Sequence, residues 1–115
     1  MNNALHLKEC LACNAQIDAL QAKQITKLQS QLNSAWKVKK GYLYRQYSLK
    51  NFKQALELTN KVGDIAEQEN HHPDIVLSWA KLEIKIITHK LKALTENDFI
   101  LAAKIDQLDI SISKK

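Results

Sequence analysis

Three of the four histidines in this chain have the residue type and spacing expected for proton transfer. His71 and His72 are adjacent and precede Pro73, whereas His89 lies further along the chain. An unperturbed imidazole has a pKa of about 6.5, and a placed acid–base group typically contributes roughly 100- to 10,000-fold in rate. Adjacent side chains of an extended segment point in opposite directions, which disfavours one metal ion held by both neighbours. From the residues alone, an ordinary polar loop remains the alternative.

The two cysteines, Cys10 and Cys13, form a Cys-x-x-Cys pair near the N-terminus. In a cytoplasmic protein such a pair suggests a metal or redox site before a structural disulfide. His6 would share a helical face with both cysteines, but a closed zinc site needs four ligands and the nearby chain offers no obvious fourth. No βαβ pattern surrounds the pair, which weakens a thioredoxin-like interpretation. We therefore expect cysteines without a function and leave the metal and redox roles open.

Length and composition predict one soluble domain. The chain has 115 residues, of which 25% are charged and 45% are hydrophobic, and this length supports one core. No apolar run is long enough to span a bilayer, and the N-terminus lacks the basic start and apolar stretch of a signal peptide. We therefore expect a cytoplasmic protein.

The formal net charge of +5 comes almost entirely from lysine, since Arg45 is the only arginine. A basic surface attracts nucleic acid, anionic lipid or any other anion. Arginine, however, supplies most of the bidentate recognition of bases. We therefore expect a solvated surface with no nucleic-acid and no membrane partner, and keep a basic nucleic-acid binder as a rival hypothesis.

The elements that must position the histidines are predicted in the order α-β-β-α-β-β-α. The predicted helices cover about residues 18–33, 52–69 and 96 onwards, and the predicted strands cover about residues 36–38, 42–49, 75–79 and 81–89. Asn51 is a predicted N-cap, Pro73 prevents continuation of the second helix, and Thr95 to Asp98 is a predicted capping box. Hairpin connections imply an antiparallel sheet covered by helices on one face, with an exposed edge that dimerisation often covers.

The predicted buried faces follow from periodicity. In the second helix the predicted inner stripe is Phe52, Ala55, Leu56, Thr59, Val62, Gly63 and Ala66. In the last helix it is Leu101, Ile105, Leu108 and Ile112. Arg45 interrupts an otherwise apolar face of the second strand.

Several short motifs in the stretch from Trp36 to Asp106 resemble one known family. The matching pieces are Phe52-Lys53-Gln54-Ala55, Val62 to Glu67, Glu69-Asn70-His71-His72-Pro73, Trp79, Lys81-Leu82, Thr88-His89, Leu94-Thr95-x-x-Asp98-Phe99 and Ala102-Ala103-x-Ile105-Asp106. His-His-Pro alone is a weak signal, but its combination with Thr-His and Leu-Thr-x-x-Asp-Phe is specific. The chain thus resembles the bacterial type of pterin-4a-carbinolamine dehydratase. We divide it into an N-terminal extension, residues 1–17, and one dehydratase domain, residues 18–115.

The resemblance implies an α+β fold with a four-stranded antiparallel sheet and helices on one face, assembled as a homodimer or homotetramer. It implies dehydration of 4a-hydroxytetrahydropterin to quinonoid dihydropterin, which recycles the pterin cofactor of aromatic amino acid hydroxylases. Neither a metal nor a cofactor of its own is implied. Some members of the family instead act as a dimerisation or assembly cofactor for another protein, which is the alternative function. A degenerate member would usually lose one of the histidines, and this chain has all three.

The resemblance also implies the site residues. His71 and His89 would flank C4a of the pterin as acid and base, and His72 would help to hold the ring. The implied substrate-binding residues are Glu67, Pro73, Thr88, Lys90, Leu91 and Asp98. Asp98 has a rival structural role in the capping box. Ala93 stands where the family commonly has glycine, and an alanine would be strained there if the backbone φ were positive.

Overall fold

The computed structural model describes residues 5–8, 10 and 18–110. The helices are α1 (Ala22–Gln29), α2 (Phe52–Glu69) and α3 (Glu96–Asp106), and the strands are β1 (Lys37–Lys39), β2 (Tyr42–Ser48), β3 (Asp74–Ser78) and β4 (Lys81–Ile86). Short 3-10 turns cover Leu5–Leu7 and Gln107–Ile110. The α-β-β-α-β-β-α order and the α+β class are confirmed. No helix within the described ranges is both long and apolar enough to cross a membrane.

The four strands form one antiparallel sheet in the order β1-β2-β4-β3. Each hairpin pairs consecutive strands, and α2 connects the two hairpins so that β2 and β4 lie side by side. The β1–β2 turn contains Gly41 with φ of 82°, a left-handed conformation that glycine adopts without a steric cost. β1 and β3 are the two edges of the sheet.

One face of the sheet builds the core, as the alternation predicted. Leu82, Ile84 and Ile86 of β4 have no exposed surface. Removing a side chain of this size from water contributes about 1.5–3 kcal/mol, before the entropy of ordering it is subtracted. β4 is therefore at the centre of the core. Its burial fixes the position from which the following segment, residues 87–95, begins.

Arg45 lies on the buried face of β2, and an ion pair explains how the core accommodates it. Its Nη1 donates to Asp106 Oδ1 at 2.7 Å, and Trp36 Nε1 donates to the same oxygen at 2.7 Å. The guanidinium also lies 4.1 Å from the centroid of the Tyr47 ring. A charge in an apolar core is tolerated when it is paired in this way.

The inner stripe predicted for the last helix is confirmed at Leu101 and Ile105, which have no exposed surface, but the buried surface of α3 is wider than one stripe. Phe99, Ile100, Leu101 and Ala102 are consecutive and all buried. The helix contacts α2 on one side, while α1 and the 3-10 turn at Leu5–Leu7 cover other sides. Ile112, the last residue of the predicted stripe, lies outside the described residues.

The predicted stripe of α2 is also partly wrong. Its buried residues are Ala55, Leu58, Val62 and Ala66. Phe52 and Leu56 are instead 43% and 41% exposed, because the stripe that faces the sheet runs through Leu58 and leaves both at the margin. The predicted N-cap is confirmed, since Asn51 Oδ1 accepts from Gln54 N at 2.9 Å.

Two predicted elements are shorter in the structure, one because of a long-range bond and the other because of a local turn. α1 begins at Ala22, not Asp18, since Leu20 N donates to Leu94 O at 2.8 Å and holds this residue in a non-helical connection. β4 ends at Ile86, not His89, and a turn follows in which Thr88 N donates to Ala93 O.

We predict that Arg45→Met lowers the free energy of unfolding by about 3 kcal/mol, because it leaves the Asp106 carboxylate without its cationic partner. Urea denaturation followed by circular dichroism measures the difference. Gln46→Met is the matched control, since Gln46 is the next residue of β2 and is exposed. Equal unfolding midpoints for the two variants would contradict this assignment.

Candidate active site

The end of α2 fixes the backbone of His71. Asn70 has φ of 53°, a left-handed conformation that asparagine tolerates better than most residues. His71 N donates to Ala66 O at 3.2 Å and Asn70 N donates to Glu67 O at 3.3 Å, which together form a Schellman motif. Pro73 then prevents a return to helix. The direction of the backbone at His71, just after α2, is therefore fixed.

The His71 side chain is bound to a buried carboxylate. Its Nε2 lies 2.6 Å from Asp98 Oδ1, and the Asp98 side chain has no exposed surface. The imidazole itself is 14% exposed, so part of the ring reaches solvent. This pairing has the geometry by which an acid–base histidine is usually oriented by a third group.

Asp98 is also the predicted capping residue of α3. Its Oδ2 accepts from Thr95 N at 2.8 Å and from the Thr88 hydroxyl at 2.8 Å. The Thr88 and Thr95 hydroxyls lie 2.8 Å apart, and Asn97 N donates to Thr95 Oγ1. The capping box is confirmed, and the same carboxylate serves His71 through its other oxygen.

His72 makes a second, more exposed pair. Its Nε2 lies 2.6 Å from Glu67 Oε2, and the two side chains are 53% and 79% exposed. Glu67 is on the last turn of α2, so the pair spans the helix end. Because exposed pairs are weakly held, this contact orients His72 without locking it.

His89 lies on the turn that follows β4. The turn is closed by Leu91 N and Lys92 N, which donate to Thr88 O at 3.1 Å and 2.8 Å. The side chains of His89, Lys90 and Leu91 are exposed. Thr88, the residue before His89, is bonded to Asp98, so this turn is tied to the carboxylate that holds His71.

The concern raised by Ala93 is not confirmed. Within the described part of the chain the positive φ of this turn is at Lys92, with φ of 53°, and Ala93 is not among the left-handed residues. An alanine at position 93 is therefore unstrained, and the left-handed step falls one residue earlier than the sequence suggested.

Contacts thus bring His71, Asp98 and Thr88 together, with Glu67 and His72 at the adjoining helix end. Pro73, which follows His72 in the chain and precedes β3, is half-buried. The sequence reasoning identified Thr95 only as a cap and missed its part in this network, although the capping-box pattern was the available signal. A cavity of about 410 Å³ lies elsewhere, near Leu5 and Leu28, and none of the three histidines lines it.

The residues from Asp18 to Leu108, which include the whole of this network, match the family described as pterin 4 alpha carbinolamine dehydratase. The chain belongs to this family. A protein of Rickettsia canadensis that carries the dehydratase name is 47% identical over 100 residues, covering 86% of this chain and 92% of its own. One from Alkaliphilus metalliredigens is 45% identical over 108 residues, covering 93% and 96%. Enzymes of this name are dehydratases, so the chain is classed as a lyase.

Solved structures agree on the fold. A transcriptional coactivator/pterin dehydratase from Brucella melitensis superposes with a TM-score of 0.74, at 22% identity, over 79% of this chain and 98% of its own. A pterin dehydratase-like protein described as a RuBisCO assembly factor superposes with a TM-score of 0.53, at 19% identity, over 64% of this chain and 84% of its own.

Within the described residues, no group of three or more His, Cys, Asp and Glu side chains is arranged to hold a metal ion. Cys10 is a free thiol whose Sγ lies 3.6 Å from Asn97 O, and its backbone N donates to Glu69 Oε1. Burial, together with the Glu69 carboxylate, raises the pKa of the Cys10 thiol from 9.0 to about 12. Such a thiol is protonated near neutral pH and is a poor nucleophile or metal ligand. Cys13 lies outside the described residues.

We predict that the free energy of unfolding of Lys92→Gly is about 1 kcal/mol higher than that of Ala93→Gly. Glycine at position 92 removes the left-handed strain, whereas at position 93 it only adds freedom to the unfolded chain. Urea denaturation of Lys92→Gly and Ala93→Gly measures this. The reverse order of stability would mean that the left-handed step is at position 93.

We predict that Cys10 in a Cys13→Ser variant reacts with iodoacetamide at pH 8 roughly 100-fold more slowly when folded than in urea, because its thiolate is scarce in the folded state. Mass spectrometry follows the labelling. In urea the rate should level off above the ordinary pKa of 9.0, whereas in the folded protein it should still rise towards about 12. Equal rates in both states would disprove the shift.

Proposed function

We propose that this protein dehydrates 4a-hydroxytetrahydropterin to quinonoid dihydropterin. The observation that carries the proposal is His71 held by the buried Asp98 in a chain that belongs to the dehydratase family. Relatives at 45–47% identity that cover most of the chain carry the name of this activity. A positioned imidazole is the group that this reaction needs.

The reaction requires one proton to be delivered and one to be removed. The substrate has a hydroxyl group on C4a beside the N5 amine. A general acid protonates the hydroxyl oxygen, and the C4a–O bond breaks with its electron pair leaving on water. The lone pair of N5 forms the new double bond to C4a, and a general base takes the N5 proton. Two imidazoles can supply both transfers near neutral pH.

We assign these transfers to His71 and His89, which act as the acid–base pair on either side of C4a. The bonds from Asp98 to His71 and to Thr88, the neighbour of His89, support a common site. His72 holds the pterin ring, and its exposed pair with Glu67 leaves it free to adjust.

The rest of the proposed pterin pocket surrounds these histidines. Its proposed members are Glu67, Pro73, Thr88, Lys90, Leu91 and Asp98. Lys90 and Leu91 share the exposed turn of His89, which supports contact with a ligand. Thr88 and Asp98 are buried, at 8% and 0% exposure, and therefore act on the ligand through the histidines.

We further propose the cellular setting that the resemblance implies. The enzyme would work in the cytoplasm as a homodimer or homotetramer and would recycle the pterin cofactor of an aromatic amino acid hydroxylase. The exposed edge strand β3 supports self-association, since an open edge has unpaired backbone groups. Val76 on this strand is 54% exposed.

The alternative is a role as a dimerisation or assembly cofactor without catalysis. The structural likeness to a dehydratase-like RuBisCO assembly factor favours it, although that likeness concerns the fold. The complete histidine set favours catalysis, because an assembly role has no need of a carboxylate-bound imidazole.

We predict that His71→Ala and His89→Ala each lower the dehydration rate roughly 100-fold or more, towards the rate in buffer. The assay follows the absorbance of 4a-hydroxytetrahydropterin as it loses water. His6→Ala is the matched control, since His6 accepts from Lys104 through its backbone oxygen and, among the described residues, its side chain has no hydrogen bond to this network. Circular dichroism verifies that each variant is folded.

Two outcomes would count against the proposal. Full activity in both folded histidine variants would remove the assigned roles. A wild-type rate equal to that of buffer would instead favour the assembly role, which a pull-down with the purified wild-type protein and the His71→Ala variant would then test.

A further inference from the structure

We infer that Asp98 is a positioning residue that holds His71 as the Nε2–H tautomer, so that Nδ1 is the atom through which His71 exchanges protons. The tautomer follows from the hydrogen-bond network alone. The use of Nδ1 on a pterin rests on the proposed function. The two parts can therefore fail separately.

The network around Asp98 determines which atoms donate. Thr95 N can only donate, and it donates to Asp98 Oδ2 at 2.8 Å. The Thr88 hydroxyl also donates to Oδ2 at 2.8 Å, and this uses its only proton. The 2.8 Å contact between the two threonine hydroxyls must then be a bond from Thr95 to Thr88. Asn97 N completes the chain by donating to Thr95 Oγ1.

The direction of the hydrogen bond between His71 and Asp98 follows from the ionisation of Asp98. A carboxyl group is ordinarily a stronger acid than an imidazolium, and Asp98 lies in the first turn of α3, where negative charge is favoured. Asp98 is therefore a carboxylate, whose oxygens can only accept. The 2.6 Å contact at Oδ1 therefore requires that His71 Nε2 carries the proton. In the neutral ring the lone pair is then on Nδ1. Among the described residues Nδ1 has no hydrogen-bond partner, so it is available to a ligand.

The same nitrogen serves in either catalytic role. As a base, Nδ1 takes the N5 proton of the substrate and the ring becomes an imidazolium that Asp98 stabilises. As an acid, the imidazolium gives the Nδ1 proton to the C4a hydroxyl, and the C4a–O bond breaks to release water. In both cases the Nε2 proton stays on His71 and is donated to Asp98, so the neutral ring is always the same tautomer.

Two features keep the ring from turning over. The Schellman motif and Pro73 fix the backbone on both sides of His71. Asp98 is itself fixed, since it is buried and its Oδ2 is bonded to two elements, α3 and the turn after β4. A ring flip would break the 2.6 Å contact and leave Oδ1 unsatisfied in the core, which is costly.

Asp98→Asn is the informative variant because its outcome is forced by the neighbours. Thr95 N remains a donor, so the amide oxygen of the new side chain must stay on Thr95. The amide nitrogen then faces His71 Nε2, which must accept. His71 would be forced into the Nδ1–H tautomer, with no lone pair on Nδ1.

The decisive experiment is long-range ¹H–¹⁵N NMR of the histidine rings in full-length ¹⁵N-labelled protein, with His71 assigned by its loss in His71→Ala. We expect Nε2–H in the wild type and Nδ1–H in Asp98→Asn, with kcat of the latter reduced roughly 100-fold or more while KM changes little. Thr88→Val should loosen Asp98 and reduce kcat in part, whereas Thr88→Ser keeps the hydroxyl and should restore it.

The possible results distinguish the tautomer of His71 from the catalytic role of its Nδ1 atom. An Nδ1–H tautomer in the wild type overturns the inference whatever the activity. A switched tautomer in Asp98→Asn with unchanged kcat overturns the role of Nδ1. If the wild-type tautomer is Nε2–H but the protein has no dehydratase activity, the positioning role stands and only the proposed reaction fails. If Asp98→Asn does not fold, the wild-type spectrum and the Thr88 pair decide.

Discussion

The candidate site is organised by the hydrogen bonds that one buried carboxylate requires. Asp98 has no exposed surface, and a buried charge without partners would cost several kcal/mol. Its partners come from three parts of the fold: the end of α2, the turn after β4 and the N-cap of α3. Because all three must meet at one side chain, the two segments that carry the proposed acid–base histidines are tied to the same point.

A second carboxylate, Asp106, anchors the opposite end of α3. Carboxylates are favoured at the N-terminus of a helix, where Asp98 lies, and disfavoured at the C-terminus, where Asp106 lies. Asp106 therefore depends on strong donors, and it has them in Arg45, Trp36 Nε1 and Asn33 N. One end of α3 builds the site and the other end attaches the helix to the sheet, which makes α3 a rigid support for the chemistry.

The N-terminal segment joins this support near the same place. Cys10 contacts Glu69, two residues before His71, and Asn97, one residue before Asp98. Glu69 Oε2 lies 3.5 Å from Lys104 Nζ, which also donates to His6 O. Leu5 is buried in the main core. The described part of the segment thus links the end of α2 to α3 through contacts with Glu69, Asn97 and Lys104.

Local signals in the sequence predicted much of the framework correctly. Asn51 and the Thr95–Asp98 capping box marked helix starts, Pro73 marked the end of α2, and alternation identified the buried face of β4. These features act over a few residues, so neighbours in the chain are sufficient to read them. The start of α1 was misplaced because the long-range bond from Leu20 N to Leu94 O overrides the local periodicity, and the end of β4 was misplaced because the turn closed by Thr88 and Ala93 was not recognised.

The amino-acid sequence by itself determined the order of the elements, the α+β class and the histidine motif, because helix caps, turns and apolar periods are encoded locally. It left open whether Asp98 caps a helix or serves the site, and how the core accommodates Arg45. Tertiary structure decided which groups bind Asp98 and Asp106, since the partners of a carboxylate oxygen come from whichever elements pack around it. Only the folded chain brings His71, Thr88 and Thr95 to Asp98. In the same way, only the folded chain brings Arg45 and Trp36 to Asp106.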